Sequence, residues 1–169
     1  MLQIYTGDGK GKTTAALGLA LRACGHGRKV IMIQFMKGDM EYGEVKIASK
    51  IPGFELHQFG LPTFVEKGNP AAEDLRLAKE GFDFACEIIS KGEYDVVILD
   101  ELNCAIDYGL IYLEDVLELL DRVPKEMEII ITGRNARPKL TERADLVSEI
   151  KEIKHPFQKG ILAREGIDY

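Results

Sequence analysis

The stretch TGDGKGKTT, from Thr6 to Thr14, determines the fold expected for this chain. A short apolar run, Leu2–Tyr5, leads into it, and a segment rich in alanine and leucine follows at once. This order of strand, glycine-rich loop and helix is the context that a phosphate-binding P-loop requires. Glycines let successive backbone N–H groups point at phosphate oxygens, and the start of the helix adds unpaired donors and a partial positive charge. The sequence therefore predicts a polyphosphate site after the first strand.

The residues of this loop have separate expected roles. Lys12 is expected to contact the distal phosphates, and the Thr13 hydroxyl is expected to hold a magnesium ion. The usual motif has a glycine at the position of Thr6, so the loop is one residue short, and it gains an extra cation, Lys10. We therefore expect a triphosphate whose pose need not match that in an ordinary ATPase. The residues predicted to contact the nucleotide are Gly7, Asp8, Gly9, Lys10, Gly11, Lys12, Thr13 and Thr14.

The composition indicates a soluble globular protein with no nucleic-acid or membrane partner. The chain has 169 residues, which is the size of one domain, residues 1–169, with a buried core. Its net charge of −6 has the wrong sign for non-specific binding to nucleic acid. The three cysteines include no CxxC pair, and no apolar run approaches the ~20 residues of a membrane span. Because the first predicted strand begins at Leu2, we expect no targeting segment and a location in the cytoplasm.

Apolar runs of strand length recur along the chain. The runs VIMIQF, VVIL and IIIT hardly alternate with polar residues, which is typical of strands covered on both faces of a parallel sheet. The last run does alternate, so it is expected at an edge of the sheet. The predicted strands are Leu2–Tyr5, Val30–Phe35, Phe54–Phe59, Val96–Leu99, Glu128–Thr132 and Leu146–Ile153.

Helical patterns separate these strands. Apolar residues recur at helical spacing from Leu75 to Ile89 and from Leu113 to Val123. The helix after the P-loop is apolar nearly all round, so we expect it to be buried. Alternating strands and helices predict an α/β protein with the three-layer P-loop NTPase (RecA-like) fold and a mostly parallel sheet.

A second chemical signal lies at the end of the fourth predicted strand, where Val96–Leu99 runs into Asp100 and Glu101. An apolar strand followed by an acidic residue is the Walker B arrangement, which places a carboxylate beside the metal of a P-loop. Two adjacent carboxylates would repel a polyphosphate unless a cation lay between them, so a metal, Mg²⁺ or Mn²⁺, is implied. We favour Glu101 as the inner ligand together with Thr13, and Asp100 as its outer partner; the reverse assignment stays open.

Two arginines and two loops complete the set of candidates. Arg22 is the only charged residue on the apolar helix, and a buried arginine needs an anion, either a protein carboxylate or a ligand. Arg134 follows the strand IIIT and one glycine, so we expect it near the phosphates at the carboxyl edge of the sheet. The loops Met36–Tyr42 and Gly60–Asn69 should face substrate for the same reason.

Five segments of the chain, taken in order, resemble one family. They are TGDGKGKTTAALGLALRACGHG, QFMKGDMEYGE, VVILDELNCAIDYG, ITGRNA and KHPFQKGILAREGIDY. Over essentially its whole length the chain resembles the ATP:corrinoid adenosyltransferases of the CobO/BtuR type. The resemblance implies transfer of the 5′-deoxyadenosyl group from ATP to cob(I)alamin or a related corrinoid, with release of triphosphate, in adenosylcobalamin biosynthesis or salvage. It also implies a homodimer and a reductase or flavodoxin as electron donor.

The implied chemistry suits the residues found. Reduced cobalt attacks the ribose 5′ carbon, so the protein needs no nucleophile or strong general base of its own. The spacing of the three histidines predicts no catalytic set either. The catalytic task that remains is to neutralise the leaving triphosphate, which we assign to Lys12, Lys10 and Arg134 together with the metal.

The resemblance also implies a corrin-binding loop. The family displaces the lower axial ligand of the corrin with apolar side chains, and the matching segment here is Gly60–Phe64. Relatives have aromatic residues there that include a tryptophan, whereas this chain has no tryptophan. Leu61 and Phe64 are therefore the candidates for corrin contact. The alternative, that both anchor the loop in the core, stays open.

Two functions of other classes also remain. The first is a P-loop nucleoside kinase or ATPase, which needs a carboxylate base at an acceptor hydroxyl. Asp100 or Glu101 could supply that base, but the sequence offers no arginine-rich lid. The second is a non-catalytic nucleotide- or corrinoid-binding module. The phosphate product distinguishes the three, since adenosyl transfer gives triphosphate, a kinase gives ADP and a binding module gives neither.

Overall fold

The computed structural model describes residues 1–169. Its central element is a single sheet of six strands. Every pairing in it is parallel, and the strand order is β3-β2-β4-β5-β1-β6. The predicted α/β fold with a mostly parallel sheet is therefore confirmed. The strands are β1 Leu2–Thr6, β2 Val30–Phe35, β3 Phe54–Phe59, β4 Val96–Asp100, β5 Glu128–Thr132 and β6 Leu146–Glu149.

Six α-helices and one short 3₁₀ helix, Pro156–Lys159, connect the strands. The two helices predicted from periodicity are α3 and α5. The helices α2, α4 and α6 have six residues each, which is fewer than two turns, so they show too little periodicity to be predicted. No helix is both long and apolar enough to cross a membrane. The helices are α1 Lys12–Gly25, α2 Gly43–Ala48, α3 Ala72–Lys91, α4 Leu102–Asp107, α5 Leu113–Asp121 and α6 Pro138–Arg143.

The edge strand β6 is shorter than predicted. Its position at the edge of the sheet is confirmed, but it ends at Glu149 and not at Ile153. Beyond its end, the Ile150 N–H donates to the Thr6 carbonyl at 2.8 Å, and the Ile150 carbonyl accepts from the Gly9 N–H at 2.7 Å. The chain therefore leaves β6 to run along the P-loop.

The central strands are buried on both faces because successive side chains point to opposite sides of the sheet. Ile31 and Ile33 of β2 belong to the larger core cluster, on the side of α3, α4 and α5. Val30 and Met32 belong to the smaller cluster, on the side of α1. This two-sided burial explains why the VIMIQF run contains so little alternation.

Helix α1 is only half-buried, so the prediction of a buried helix is wrong. Ala16 and Ala20 pack against the sheet, whereas Leu21 is 62% exposed. Thr14, Ala15, Gly18 and Leu21 on the outer face of α1 are exposed, so no further layer of the protein covers that face. Arg22 is also exposed, so the argument that burial obliges it to bind an anion fails.

Candidate active site

A cavity of about 660 Å³ opens beside the P-loop at the carboxyl edge of the sheet. Its walls come from the P-loop and α1, from α2 with the loops on either side of it, from Glu101 after β4 and from the last four residues of the chain. One end is polar and the other is apolar, as a ligand with a polyphosphate and a less polar group would require. The polar lining includes Lys10, Lys12, Thr13, Lys37 and Glu101; the apolar lining includes Leu17, Leu21, Ile47, Ile51 and Ile167.

Lys12 is a buried cation with no carboxylate partner. It is 8% exposed, and its Nζ donates to the Gly9 carbonyl at 2.7 Å, but it forms no salt bridge. Burial lowers the pKa of Lys12, and the nearby Glu101 carboxylate offsets this only in part. Because burying an unpaired charge costs free energy, a bound anion at this position would be strongly favoured.

Lys10 is held by the C-terminal residues. Its Nζ donates to the Ile167 carbonyl at 2.8 Å and to the Asp168 carboxylate. Asp168 also accepts from Nε of Arg164 at 3.0 Å. The pKa of Asp168 therefore lies well below its usual range; the hydrogen bond from Lys10 contributes most, followed by those from Arg164. The end of the chain is therefore fastened to the P-loop and forms a wall of the cavity.

Three of the eight residues predicted to contact the nucleotide, Gly7, Asp8 and Gly9, contact other parts of the protein and do not line the cavity. The structure brings Lys10, Gly11, Lys12, Thr13 and Thr14 to the cavity wall, but not Gly7, Asp8 and Gly9. A Cβ on Gly7 would lie 2.4 Å from the Ile150 carbonyl oxygen, and the Gly9 N–H is already bonded to that oxygen. In this conformation these glycines allow close approach of the chain after β6, so the predicted nucleotide contact of Gly9 through its N–H is not available.

Asp100 is fully buried and all four of its acceptor positions are used. Its Oδ1 accepts from the hydroxyls of Thr13 at 2.9 Å and Thr132 at 2.7 Å. Its Oδ2 accepts from Lys37 Nζ at 2.7 Å and from Gln34 Nε2 at 3.1 Å. Asp100 therefore organises the residues around it and has no lone pair free to face the cavity.

Glu101, the next residue, is only partly buried, and unlike Asp100 it lines the cavity. Its backbone is left-handed, with φ of 62°, a strained conformation that clusters at functional sites. Its N–H donates to the Thr132 hydroxyl at 3.0 Å, and the residue lines the cavity. The turn at Glu101 thus separates the two carboxylates, one directed into the protein and one at the cavity.

The donor set at this end of the cavity fits a divalent cation bound with a polyphosphate. Thr13 donates its proton to Asp100, which leaves its oxygen lone pairs as acceptors, and Glu101 supplies a carboxylate. No group of three or more His, Cys, Asp or Glu side chains that could hold a metal is present. Mg²⁺ does not need one, because it is commonly held by one or two protein ligands together with phosphate oxygens and water.

Lys37 is the site residue that sequence reasoning missed. It lies in the loop Met36–Tyr42, which was expected to face substrate, but the residue itself was not singled out. Its Nζ lies 3.3 Å from Thr13 Oγ1 as well as 2.7 Å from Asp100 Oδ2. Burial would lower the pKa of Lys37, but the carboxylates of Asp100 and Glu101 outweigh it and raise the pKa. A lysine two residues after a buried parallel strand was the signal available in the sequence.

Arg134 lies beside the P-loop, at the carboxyl end of β5. Its guanidinium donates to the Asp8 carbonyl at 3.2 Å and lies 3.7 Å from the Asp8 carboxylate. Its backbone N–H donates to Cys104 Sγ at 3.2 Å. Burial, with the nearby Glu101 carboxylate, raises the pKa of Cys104 to about 12, so this thiol stays protonated at neutral pH and is no nucleophile.

The candidate corrin loop lies outside the cavity wall. Phe64 is fully exposed, so the alternative that it anchors the loop in the core is wrong; Leu61 is half-buried. The loop touches the Lys37 loop backbone to backbone: a Cβ on Gly60 would lie 2.3 Å from the Lys37 nitrogen, and one on Gly38 would lie 2.1 Å from the Gly60 oxygen. The two loops can cross there only because both residues are glycines.

Comparison with known proteins gives one consistent result. The family described as ATP:corrinoid adenosyltransferase BtuR/CobO/CobP matches residues 1–169. The Corrinoid adenosyltransferase of Escherichia coli (strain K12) is 39% identical over 166 residues, which cover 98% of this chain and 84% of that protein. The Corrinoid adenosyltransferase CobA of Salmonella typhimurium is 37% identical over 98% of this chain and 84% of its own length. The Corrinoid adenosyltransferase of Pseudomonas aeruginosa is 32% identical over 169 residues, which cover 100% of this chain and 83% of that protein. The chain therefore belongs to the ATP:corrinoid adenosyltransferase family.

Proposed function

We propose that this protein transfers the 5′-deoxyadenosyl group of ATP to the cobalt of cob(I)alamin or a related corrinoid and releases inorganic triphosphate. The observation that carries the proposal is the buried, unpaired Lys12 at the polar end of a cavity, in a chain that belongs to this family throughout its length. A triphosphate supplies the anion that Lys12 lacks. The apolar end of the cavity leaves room for a less polar group.

The residues of the cavity suit a reaction in which the substrate itself is the nucleophile. The cobalt electron pair forms the bond to the 5′ carbon, the bond from that carbon to the 5′ oxygen breaks, and triphosphate leaves with the electron pair. No proton is transferred, so no base is needed. Lys12, Lys10 and Arg134 stabilise the leaving charge, and they act most strongly when fixed in advance.

We also propose that Mg²⁺ or Mn²⁺ accompanies the triphosphate, held by Thr13 and Glu101 with Asp100 as the outer partner. When bound, this metal adds positive charge at the leaving group. The hydrogen bonds support the assignment, because Asp100 already accepts four donors while Glu101 lines the cavity. Asp100 acts by orienting the Thr13 hydroxyl so that its lone pairs stay available.

For the corrin, we propose contact with Leu61 and Phe64. A fully exposed phenylalanine in a loop has no role in the core, and apolar side chains against a corrin face exclude water and the lower axial ligand. From the resemblance we further propose a homodimer in the cytoplasm that receives electrons from a reductase or flavodoxin. Arg22 has no place in this proposal, because it is exposed and does not line the cavity.

A test of the proposed function is the identity of the phosphate product. The protein is incubated with chemically reduced cob(I)alamin and Mg-ATP, and the products are separated by anion-exchange chromatography. We expect triphosphate in an amount equal to the adenosylcobalamin formed. Formation of ADP would indicate a kinase or ATPase instead, and nucleotide binding with no product would indicate a non-catalytic module. Since Asp100 has no free lone pair, a kinase would have only Glu101 as a base.

A further inference from the structure

Lys37 occupies positions that a metal ion at this site would need. The Thr13 hydroxyl donates its only proton to Asp100, so its oxygen can serve a cation only through its lone pairs. The Lys37 ammonium donates to that oxygen at 3.3 Å. It also takes one of the two acceptor positions of Asp100 Oδ2, at 2.7 Å. The ammonium is therefore the cation of this cluster when no ligand is bound.

The surroundings hold Lys37 in this place. Its side chain is 17% exposed, and its partner Asp100 is fully buried, so the pair is poorly screened by solvent. The Lys37 backbone is confined by the crossing with Gly60, where a single added Cβ would not fit. The Lys37–Asp100 contact is therefore held in one place, unlike the contacts of an exposed lysine.

We propose that Lys37 makes metal binding at this site conditional on the triphosphate. Without nucleotide, the ammonium keeps a divalent cation away from the Thr13 oxygen, because two cations would share that oxygen and repel each other. With a triphosphate present, its oxygens attract the ammonium of Lys37, which also lines the cavity, and the lone pair of Thr13 becomes free for the metal. The enzyme then binds the metal with the nucleotide and not before it.

This inference rests on the proposed metal–triphosphate site, and the experiment separates the two. Protein-bound Mn²⁺ is measured by equilibrium dialysis, with and without inorganic tripolyphosphate, for the wild type and for Lys37→Met. Because tripolyphosphate itself chelates Mn²⁺, the metal on the protein side is compared with that in a protein-free control. We expect the wild type to bind one Mn²⁺ only with tripolyphosphate. Lys37→Met should bind Mn²⁺ without tripolyphosphate at least about tenfold more tightly than the wild type, since the lone pair of Thr13 is then free and Glu101 is unchanged. Lys50→Met, which changes an exposed lysine outside the cavity, should behave as the wild type.

Removal of Lys37 leaves the buried Asp100 unpaired and so threatens folding. Thermal melting therefore accompanies each titration, and Lys37→Met/Asp100→Asn serves as the second variant. With no buried carboxylate left unpaired, this double variant should fold. It should bind Mn²⁺ without tripolyphosphate more tightly than Asp100→Asn alone, because Thr13 and Glu101 are unchanged and the ammonium of Lys37 is gone.

If the wild type binds Mn²⁺ equally tightly with and without tripolyphosphate, the inference about Lys37 is overturned. The same holds if the folded Lys37→Met variant gains no Mn²⁺ binding, or if the folded double variant binds Mn²⁺ no more tightly than Asp100→Asn alone. If tripolyphosphate brings no Mn²⁺ to the wild type, the proposed metal–triphosphate site itself fails.

Discussion

The polar end of the cavity and the Gly60–Asn69 loop differ in how far their side chains are buried and fixed by contacts within the protein. At the polar end, Asp100 is fully buried and holds four donors, and Lys12 is fixed on the Gly9 carbonyl. In the loop, Phe64 is fully exposed. The end proposed for triphosphate is therefore organised before any ligand arrives, whereas the loop proposed for the corrin is not covered by the chain.

This difference matches what the two substrates require of the protein. A leaving triphosphate develops charge at fixed positions, and charges placed beforehand stabilise it at no reorganisation cost during the reaction. A corrin is a large planar group that supplies its own nucleophile, so an apolar surface suffices. Changes at the polar end should then reduce turnover strongly, and changes in the loop should affect the cobalt chemistry alone.

The largest effect is expected for Lys12→Ala. This change removes a buried cation that we propose faces the leaving group, so we expect kcat/KM for Mg-ATP to fall by about 10²–10³-fold. Steady-state kinetics with prereduced cob(I)alamin measure it, with Lys50→Ala as the control at an exposed lysine. Activity within a few-fold of the wild type would show that the polar end does not bind the triphosphate.

A smaller effect than that of Lys12→Ala is expected for Glu101→Gln. Its apparent Mg²⁺ affinity should fall by about 10–100-fold, and this fall should exceed the fall in Mg²⁺ affinity of Asp100→Asn. The two variants should also differ in stability. Asp100→Asn places an amide N–H₂ among four donors and should cost about 1–3 kcal/mol of unfolding free energy, whereas Glu101→Gln should cost little. Mg²⁺ titrations of activity and denaturant unfolding check both. A reversed order of metal affinities would make Asp100 the inner ligand.

In the loop, Phe64→Ala should act on cobalt redox chemistry and not on ATP. We expect reaction from cob(II)alamin to slow about tenfold, with reaction from prereduced cob(I)alamin nearly unchanged, because water and the lower ligand then return to the cobalt. The melting temperature and the dissociation constant of ATP should stay the same, since Phe64 is fully exposed. Leu61→Ala should show the same pattern. Equal slowing from both cobalt states would mean that the loop does not act on the metal.

The smallest effect is expected for Asp168→Asn, at the fastening between the chain end and the P-loop. Lys10 would then lose its carboxylate partner and keep only the Ile167 carbonyl, so it would turn to the phosphates more easily. ATP affinity should therefore rise a few-fold, in keeping with the small energies of exposed ion pairs. Isothermal titration of Mg-ATP measures the change. Weaker ATP binding in this variant would indicate that the chain end supports the nucleotide and does not compete with it.

Sequence reasoning predicted the sheet and the polar end well for a physical reason. The carboxyl ends of parallel strands meet at one edge, so a glycine-rich loop after one strand and Asp100–Glu101 after another had to converge. The predicted burial of α1 was wrong, because an apolar sequence does not tell whether a second layer covers a helix. The predicted burial of Arg22, which lies on α1, was wrong for the same reason. Lys37 and Asp168 were missed because their partners lie 63 and 158 residues away along the chain.

The most direct measurement of the central claim follows the bond that breaks. ATP labelled with oxygen-18 at the 5′ oxygen is reacted with prereduced cob(I)alamin and Mg²⁺, and the phosphorus resonances of the product are examined for the isotope shift. Because cobalt attacks the 5′ carbon, the label should leave entirely in the triphosphate. Label retained on the nucleoside or on ADP would mean that a phosphorus–oxygen bond breaks, and would contradict adenosyl transfer.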